Sequence, residues 1–318
     1  MLRASVVMPS FNQGRFIERA IQSVLGQAYP RLEFLVFDGG SSDETPGILA
    51  RYAPAVRWVS EPDRGQADAV NKGLRASSGE VIGWLNSDDV YRPCALWAAC
   101  AFLEAHPEID VVYGEADFID ADDRVLGRYY TEPWNPARLR DTNILCQPAV
   151  FFRRRLVGEH GLLDQRLHYC LDYEYWLRLA FGGARFAHLP SVLAASRLYP
   201  ETKTLGQRLE LHAELNRMLR SYYGRVPDRW LLNHAHTLLE LGSGPDPRHR
   251  LRYRAAAARR ALALSWQWNR SVSPWLAATA VRMLIGGLLR APVSLDRRTP
   301  AAPPARPPAA AHRRPPSA

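Results

Sequence analysis

The chain has 318 residues, 47% of them hydrophobic and 23% charged, which is typical of a globular protein with a full core in one large domain or two. Its net charge of +9 is uneven: residues 245–318 contain fourteen Arg and two Asp, a balance of +12, which leaves −3 for residues 1–244. The basic charge therefore lies outside the main body, which argues against nucleic-acid binding. It indicates a C-terminal segment that meets an anionic partner, such as a membrane surface.

The first 115 residues alternate between apolar runs and helical spacings. The predicted strands are Ala4–Met8, Leu32–Phe37, Val56–Ser60, the run from Val81, and Val111–Tyr113. The predicted helices are Arg15–Gln27, one opened by Thr45-Pro46, Ala67–Ala76 and Arg92–His106. This alternation predicts an α/β fold with a mostly parallel sheet and right-handed crossovers.

After residue 115 the strict alternation ends. The predicted strands are Ala116–Ile119 and Val125–Thr131, paired around a turn, then Ala149–Phe152 and Phe186–Ala195. The predicted helices are Leu171–Phe181, Leu205–Tyr223 and, interrupted near Gly242–Pro247, Arg229–Leu289. The last 19 residues are rich in Pro, Ala and Arg without periodicity, which predicts disorder.

Two further features of the sequence bear on the cellular location of the protein. The cysteines show no Cys-x-x-Cys pair and no metal-ligand spacing, so they fit buried thiols in a reducing compartment. They are Cys94, Cys100, Cys146 and Cys170. No signal peptide is visible before the first strand, so a cytoplasmic location is expected. The basic C-terminal segment adds the expectation of a peripheral position on the cytoplasmic face of a membrane.

Glu80–Val90 joins a predicted buried strand to a cluster of acidic and amide side chains. Its short apolar run is typical of a strand buried on both faces, and it ends in Asn86, Ser87, Asp88 and Asp89. Carboxylates this close repel each other unless a cation lies among them. Mg²⁺ and Mn²⁺ are usually held by one or two carboxylates plus substrate phosphates. The stretch predicts either a metal–diphosphate site at a strand's carboxyl end or a polar turn that caps the next helix.

Five motifs follow each other in order, each where a strand ends or a helix begins. They are Val7–Asn12, Phe37–Asp43, Arg64–Gly73, Gly83–Asp89 and Leu171–Arg178. Together they resemble the inverting family 2 glycosyltransferases over residues 4–200. The resemblance implies the GT-A fold, a Rossmann-related, mostly parallel sheet flanked by helices with a small antiparallel acceptor-side portion. It also implies an enzyme of the kind that builds cell-envelope or exported polysaccharides.

The resemblance gives the predicted domain division its functional meaning. Residues 1–225 are expected to form the GT-A domain, with a nucleotide-binding half at 1–115 and an acceptor half at 116–225. Residues 226–295 are expected to form a helical C-terminal extension that the resemblance does not cover. Residues 296–318 form the predicted disordered tail.

The resemblance also implies a nucleotide-diphosphate-sugar donor, of UDP type, and a divalent metal, Mn or Mg. Asp38 is expected to accept a hydrogen bond from a uracil-type base, and glycines let the backbone approach the nucleotide closely. The residues expected to bind the nucleotide sugar are Pro9, Ser10, Asn12, Asp38, Gly40, Ser41, Gly65, Gln66, Asp68, Asn71, Lys72 and Asn86. Asp88 and Asp89 are the expected metal ligands.

Each of these motifs also has an ordinary structural reading. Asp38-Gly39-Gly40 fits a plain loop, and Asp68, Asn71 and Lys72 fit a solvated helix face. Lys72 is one of two lysines in an arginine-rich chain, which favours the functional interpretation.

On the acceptor side, the resemblance selects Asp172 as the catalytic base, and the alternative role of this residue is a helix N-cap. Residues two apart on a helix do not share a face, so only one of Asp172 and Glu174 is expected to point into the cleft. The residues expected at the acceptor or the diphosphate are Gln147, Glu174, Trp176, Arg197 and Lys203. Trp176 fits a core position as well.

The chain departs from the family pattern at two positions. Asn86 stands where the metal motif usually has Asp, and a neutral amide oxygen is a weaker metal ligand than a carboxylate. Tyr199 stands where a His is often found. These departures put the identity and the affinity of the metal in doubt.

The sequence therefore predicts transfer of a sugar from a nucleotide-diphosphate donor to a hydroxyl of a glycan or lipid-linked acceptor. A catalytically inactive GT-A-like glycan-binding or scaffold protein stays open because of Asn86. A sugar nucleotidyltransferase is disfavoured because the loop after the first strand lacks a Gly-rich basic phosphate motif. A dinucleotide-binding oxidoreductase needs Gly-x-Gly-x-x-Gly after a strand, and the sequence has none.

Overall fold

A mixed nine-stranded β-sheet runs through the part of the chain that this computed structural model describes, residues 1–242, 244–245 and 249–285. In chain order, its strands are β1 (Ala4–Ser10), β2 (Leu32–Asp38), β3 (Arg57–Ser60), β4 (Val81–Trp84), β5 (Val90–Tyr91), β6 (Val111–Ile119), β7 (Val125–Arg128), β8 (Val150–Arg153) and β9 (Phe186–Arg197). The spatial order is β3-β2-β1-β4-β8-β6-β9-β5, with β7 paired to β6.

The first half of the sheet is parallel and the second half is mixed. β1 pairs in parallel with β2 and β4, and β2 pairs in parallel with β3. β8 is antiparallel to both of its neighbours, β4 and β6, whereas β9 is parallel to β6. The carboxyl ends of β1, β2, β3 and β4 therefore lie at one edge of the sheet, where open α/β sheets bind ligands.

The described residues form helices on both faces of this sheet and, beyond it, in a C-terminal unit. They are α1 (Gly14–Leu25), α2 (Thr45–Arg51), α3 (Gln66–Ala76), α4 (Ala95–Ala105), α5 (Pro136–Asp141), α6 (Arg155–His160), α7 (Leu171–Phe181), α8 (Lys203–Gly206), α9 (Arg208–Tyr223), α10 (Asp228–Leu241), α11 (Arg250–Asn269) and α12 (Pro274–Ile285). One core lies between the sheet and α1, α2 and α4, and a second lies between the sheet and α3, α6, α7 and α9.

The central strand shows why a continuous apolar run is needed in this position. Val81 belongs to the first core, whereas Ile82 and Trp84 belong to the second, and all of β4 is buried. Side chains alternate between the faces of a strand, so a strand covered on both sides has no polar face. Next to it, Gly73 of α3 lies against the side chain of Val7, close enough that a Cβ would overlap with it. This contact sets how closely α3 packs on β1.

The structure corrects several predicted boundaries. Val111–Tyr113 and Ala116–Ile119 are one strand, β6, whose register with β9 shifts around Glu115. The predicted helix Leu205–Tyr223 is divided into α8 and α9. The short elements β5, α5 and α6 were not predicted, because two to six residues are too few to show a period.

The C-terminal extension is helical as expected, and its helices α10, α11 and α12 pack around a third core of their own. Trp230 connects this unit to the α/β part by donating a hydrogen bond to the Arg140 carbonyl at 3.2 Å. The tail predicted at 296–318 and the end of the extension at 286–295 lie outside the described residues. The domain division at 115, 225 and 295 stays a prediction. Among the described residues, no helix is long and apolar enough to cross a membrane.

Candidate active site

The ends of β1, β2 and β3 bring the first group of predicted residues together. Ser10 lies opposite Asp38 in the sheet, and Asp38 lies opposite Ser60. The buried Asp38 carboxylate accepts hydrogen bonds from the Ser41 backbone N–H at 2.9 Å, the Ser41 hydroxyl at 2.5 Å and the Ser60 hydroxyl at 2.6 Å. A carboxylate has about four acceptor positions, so Asp38 holds the loop in place and retains room for one further donor.

The loops that follow β1 and β2 are bonded to each other. The Asn12 backbone N–H donates to the Ser41 hydroxyl at 2.6 Å, and the Asn12 side-chain oxygen accepts from the Ser42 N–H at 2.9 Å. Gly40 has φ +82°, in the left-handed region that glycine adopts without strain. Pro9 and Ser10 are buried in β1, and the buried Ser10 hydroxyl has no hydrogen-bond partner in the described residues.

Phe11 projects from the middle of this loop pair with 60% of its surface exposed. The sequence analysis did not select it. The available signal was a large aromatic residue between Ser10 and Asn12, in a loop predicted to meet a nucleotide. Aromatic faces stack on bases, so Phe11 joins the candidate donor site.

The start of α3 closes the next side of the site. Gly65 has φ +106°, and a Cβ there would point into open space. Gln66 links two distant parts of the chain, because its amide donates to the Asn86 oxygen at 2.8 Å and its oxygen accepts from the Lys203 ammonium at 2.9 Å. Asp68 accepts from Gln165 at 3.0 Å.

Two other predicted residues of α3 have structural partners. The Lys72 ammonium lies 2.8 Å from the Glu61 carboxylate. Asn71 is buried, and its amide both donates to the Leu163 carbonyl and accepts from the Leu163 N–H, each at 2.9 Å. Asn71 thus fixes a loop of the acceptor half, a role that the sequence did not suggest.

Asn86 is enclosed by hydrogen bonds. Its oxygen accepts from Gln66 and, at 3.0 Å, from the Trp84 indole. Its NH₂ group donates to the Gln147 oxygen at 2.9 Å and to an Asp89 oxygen at 3.3 Å. With two donors at its oxygen, Asn86 is a hydrogen-bond centre that joins the nucleotide half to Gln147 of the acceptor half.

Asp88 and Asp89 differ in their surroundings. Asp88 accepts a hydrogen bond from the Tyr199 hydroxyl at 2.9 Å, and burial raises its pKa. Asp89 accepts from the Arg197 backbone N–H at 2.8 Å. Burial, and then the neighbouring Asp88 charge, raise the pKa of Asp89 to about 8. Two carboxylates that resist ionising together are favoured as anions when a cation binds between them.

This donor set fits a hard divalent ion that completes its coordination with substrate. The described residues contain no group of three or more His, Cys, Asp or Glu that could hold a metal. Mg²⁺ and Mn²⁺ sites in nucleotide enzymes use one or two carboxylates and the substrate phosphates, which is what Asp88 and Asp89 offer.

Asp172 and Glu174, the two carboxylates at the start of α7, differ in their partners. Asp172 is the second residue of α7, whose cap position is Cys170, so the alternative role as N-cap is wrong. Burial raises the pKa of Asp172 to about 6, and the Lys203 ammonium offsets part of that increase. Glu174 is bonded to Arg178 through both oxygens at 3.0 and 2.9 Å, and it accepts from Tyr222 at 2.5 Å.

Two acceptor-side expectations are corrected. Trp176 is fully buried against Phe152 and Tyr175, so it belongs to the core. The Arg197 side chain is completely buried, with its guanidinium bonded to the Asp88 carbonyl at 2.7 Å and to the Asp123 carboxylate at 2.5 Å. It therefore supports the acidic motif from behind and does not reach into the cleft.

Lys203 is the basic group that does face the site. Its ammonium donates to Gln66 and, at 3.0 Å, to the His168 carbonyl. Burial lowers the pKa of Lys203, and the charges of Glu214, Asp88 and Asp172 oppose this effect. One cation thus acts on both the predicted metal ligand and the predicted base.

In EDTA, we expect Asn86→Asp to lower the free energy of unfolding by about 1–3 kcal/mol and so to lower the melting temperature. The new carboxylate would lie beside Asp89 and would lose the donor that Gln147 accepts. Added Mn²⁺ should recover more stability in this variant than in the native chain. Thermal denaturation with EDTA and with MnCl₂ measures both effects.

Asn135→Asp is the matched control, because Asn135 caps α5 by accepting hydrogen bonds, which Asp does equally well. Equal melting temperatures for Asn86→Asp and the native chain in EDTA would contradict the enclosed position of Asn86.

The family model for glycosyl transferase family 2 matches residues 5–160, which include all the strand-end loops described above. These residues form a family 2 glycosyltransferase domain. The family assignment suggested by the first four motifs is thereby confirmed, and the fifth motif, Leu171–Arg178, lies outside the matched residues.

Curated relatives of the domain are glycosyltransferases by name. A PGL/p-HBAD biosynthesis glycosyltransferase of Mycobacterium tuberculosis is 28% identical over 60% of this chain and 75% of its own. Uncharacterized glycosyltransferases of Rickettsia conorii and Rickettsia typhi are both 27% identical, over 62% and 63% of this chain. The alignments span 34% and 65% of those two proteins, so the chain matches between one third and two thirds of their length.

Solved structures share the fold. Staphylococcus aureus TarS 1-349, in complex with UDP-GlcNAc, superposes with a TM-score of 0.60 at 16% identity over 89% of each chain. The mannosyltransferase PcManGT from Pyrobaculum calidifontis, in complex with GDP-Man and Mn²⁺, superposes with a TM-score of 0.53 at 21% identity, over 92% of this chain and 76% of its own. The GT-A-like architecture of the family 2 domain is therefore confirmed.

Proposed function

We propose that the chain is an inverting glycosyltransferase that moves a sugar from a nucleotide-diphosphate-sugar donor to a hydroxyl of a glycan or lipid-linked acceptor. The observation that carries this proposal is the position of the Lys203 ammonium, which Gln66 holds at the acidic motif by accepting from Lys203 and donating to Asn86. An inverting transfer needs a cationic environment for the leaving diphosphate and a base on the opposite side of the sugar.

The donor would lie across the carboxyl ends of β1 and β2. Asp38 keeps one acceptor position for a base N–H, the paired loops at Asn12 and Ser41 shape the ribose side, and Phe11 offers an exposed ring for stacking. A UDP-type donor is proposed, with support from the UDP-GlcNAc complex of the structurally similar TarS.

The diphosphate would lie over the acidic motif. Asp88 and Asp89 would hold a divalent ion, Mn or Mg, which when bound stabilises the negative charge of the leaving diphosphate. Lys203, held by Gln66, adds a second positive charge at the same place. The leaving diphosphate would then meet two cationic groups.

Asp172 would remove the proton from the acceptor hydroxyl. With a pKa of about 6, its carboxylate is ionised at neutral pH yet basic enough to accept a proton in the transition state. The acceptor oxygen would then attack the anomeric carbon from the face opposite the diphosphate. Cell-envelope or exopolysaccharide synthesis is proposed as the setting, with support from the mycobacterial relative, which is named a PGL/p-HBAD biosynthesis glycosyltransferase. A lipid-linked acceptor would also suit a peripheral position on the cytoplasmic face of a membrane.

One observation favours a second candidate, a catalytically inactive glycan-binding or scaffold protein. The oxygen of Asn86 is occupied by Gln66 and Trp84, so the acidic motif has one ligand fewer than the family pattern. A sugar nucleotidyltransferase has no comparable support in the site.

Thermal-shift screening of nucleotide diphosphates with and without Mn²⁺ identifies the base, and release of free nucleotide diphosphate from the matching sugar nucleotide then measures turnover. We expect Mn²⁺-dependent stabilisation by a uridine nucleotide and Mn²⁺-dependent turnover. Binding without any turnover, across metals and acceptors, would favour the inactive binding protein.

A further inference from the structure

The corner between α11 and α12 exposes two tryptophans that the fold does not use. Trp266 lies in the last turn of α11 and Trp275 in the first turn of α12, and they are 60% and 42% exposed. Arg270 and Val272, in the short connection between them, are exposed as well. The connection is only four residues long, so these side chains belong to one local surface. Large exposed aromatic groups that cluster in this way mark interaction surfaces.

One face of α12 is buried in the protein and the other face is exposed to solvent. Leu276, Ala280 and Met283 are buried in the third core together with residues of α10 and α11. Val281, Leu284 and Ile285 are all exposed, with Val281 at 51%. The structure therefore shows one packed face and one solvent-exposed face, on which these apolar side chains lie beside Arg282.

The charge of this unit restricts the partner. Residues 249–285 contain seven arginines and no Asp or Glu, whereas residues 1–244 are net negative. On α11, Arg252, Arg259 and Trp266 are exposed and spaced by seven residues, so they lie along one face of the helix. Any large anionic surface would be attracted to this end of the molecule and repelled by the rest.

We propose that the α11–α12 corner docks on an anionic lipid bilayer, with Trp266 and Trp275 at the level of the headgroups and the arginines against anionic lipids. Tryptophan and aliphatic residues beside arginine are the combination found in helices that lie in a membrane interface. The proposed contact is peripheral, with α12 lying along the membrane surface. The proposal does not depend on the donor chemistry or on the catalytic residues.

The test is flotation of the full chain with vesicles of phosphatidylcholine alone or with 30% phosphatidylglycerol. We expect binding to the mixed vesicles, weak binding to neutral ones, and loss of binding as salt is raised. Trp266→Ser with Trp275→Ser should lower the partition coefficient at least about tenfold. Arg259→Glu with Arg270→Glu should lower it by about fivefold or more for each charge, on anionic vesicles only.

Val125→Ser with Leu126→Ser on β7 is the matched control, because it removes two exposed apolar side chains from a different surface. Donor turnover measured without vesicles should be unchanged in all these variants. If the tryptophan variant fails to fold, Val281→Asp with Leu284→Asp tests the same surface.

Equal binding to neutral and anionic vesicles, or no binding to either, would overturn the proposal. A dimer of the full chain in lipid-free light scattering that becomes a monomer in the tryptophan variant would also overturn it. That result would assign the corner to contact between two copies of the chain.

Discussion

Replacing Asp88 with alanine should abolish donor turnover, a loss of at least about a thousandfold, and should remove the stabilisation that Mn²⁺ and nucleotide give together. The reason is that a hard cation would lose its main protein ligand at the diphosphate, and the charge stabilisation that such an ion supplies amounts to several kcal/mol. Steady-state release of nucleotide diphosphate and thermal shifts with MnCl₂ measure the two effects.

In EDTA, Asp88→Ala should be at least as stable as the native chain, although its activity is lost. Burial raises the pKa of Asp88, so above that pKa its ionised form is less favourable in the folded chain than in the unfolded one. Removing the carboxylate relieves this penalty at neutral pH, and the variant should melt at the same temperature as the native chain or higher. Gain of stability with loss of function is the expected result for a residue kept for binding.

Asp89→Ala separates the roles of the two neighbours. Asp89 accepts from the Arg197 backbone N–H and from Asn86, and so connects β9 to the acidic motif. We expect this variant to lose less turnover than Asp88→Ala. Asp122→Ala, in the exposed turn before β7, is the neutral control. Full activity of Asp88→Ala at low metal concentration would show that the metal site is assigned to the wrong residues.

The sequence was most informative where a local pattern and a general rule of sheets act together. The apolar run from Val81 to Leu85, followed at once by Asn86 and two aspartates, indicated both the strand and the position of the acidic motif at its end. The rule that carboxyl ends of parallel strands meet at one edge then placed Asp38 in the same region. None of these steps required knowledge of a distant contact.

The errors concern side chains whose partners are far away in the chain. Arg197 carries the right charge for a diphosphate, but it is bonded to Asp123, 74 residues earlier. Asn71 has the polarity of a ligand, yet its amide pairs with the backbone of Leu163, 92 residues later. Burial decided the role of Trp176 in the same way. A local sequence pattern does not predict which distant residue a side chain will contact.

Asp172→Asn should keep the fold and lose at least about a hundredfold in turnover, the usual contribution of a positioned general base. Asparagine has nearly the same size and shape as aspartate, so the packing at the start of α7 should be kept. What the variant loses is the basic oxygen and the charge. Donor binding, measured by thermal shift with nucleotide and Mn²⁺, should stay at the level of the native chain.

Glu174→Gln is the matched control, two residues away on the same helix. It breaks a two-point ion pair with Arg178 and weakens the contact to Tyr222. Breaking one partner of such a buried pair is destabilising, so this variant should melt at a lower temperature while its folded fraction turns over donor at near the native rate. Asp172→Asn is therefore expected to lose catalysis and keep its stability, whereas Glu174→Gln is expected to lose stability and keep its catalysis.

The pH dependence gives an independent check on Asp172. Burial raises its pKa to about 6, and a general base works only when it is deprotonated. In the native chain kcat/KM should therefore rise with pH and level off above about pH 6, since this parameter reports the free enzyme. The small residual activity of Asp172→Asn should lack that rise. Near-normal transfer by Asp172→Asn, or the same rise in both proteins, would remove Asp172 from the reaction and turn attention to Asp164, which follows Leu163 in the chain.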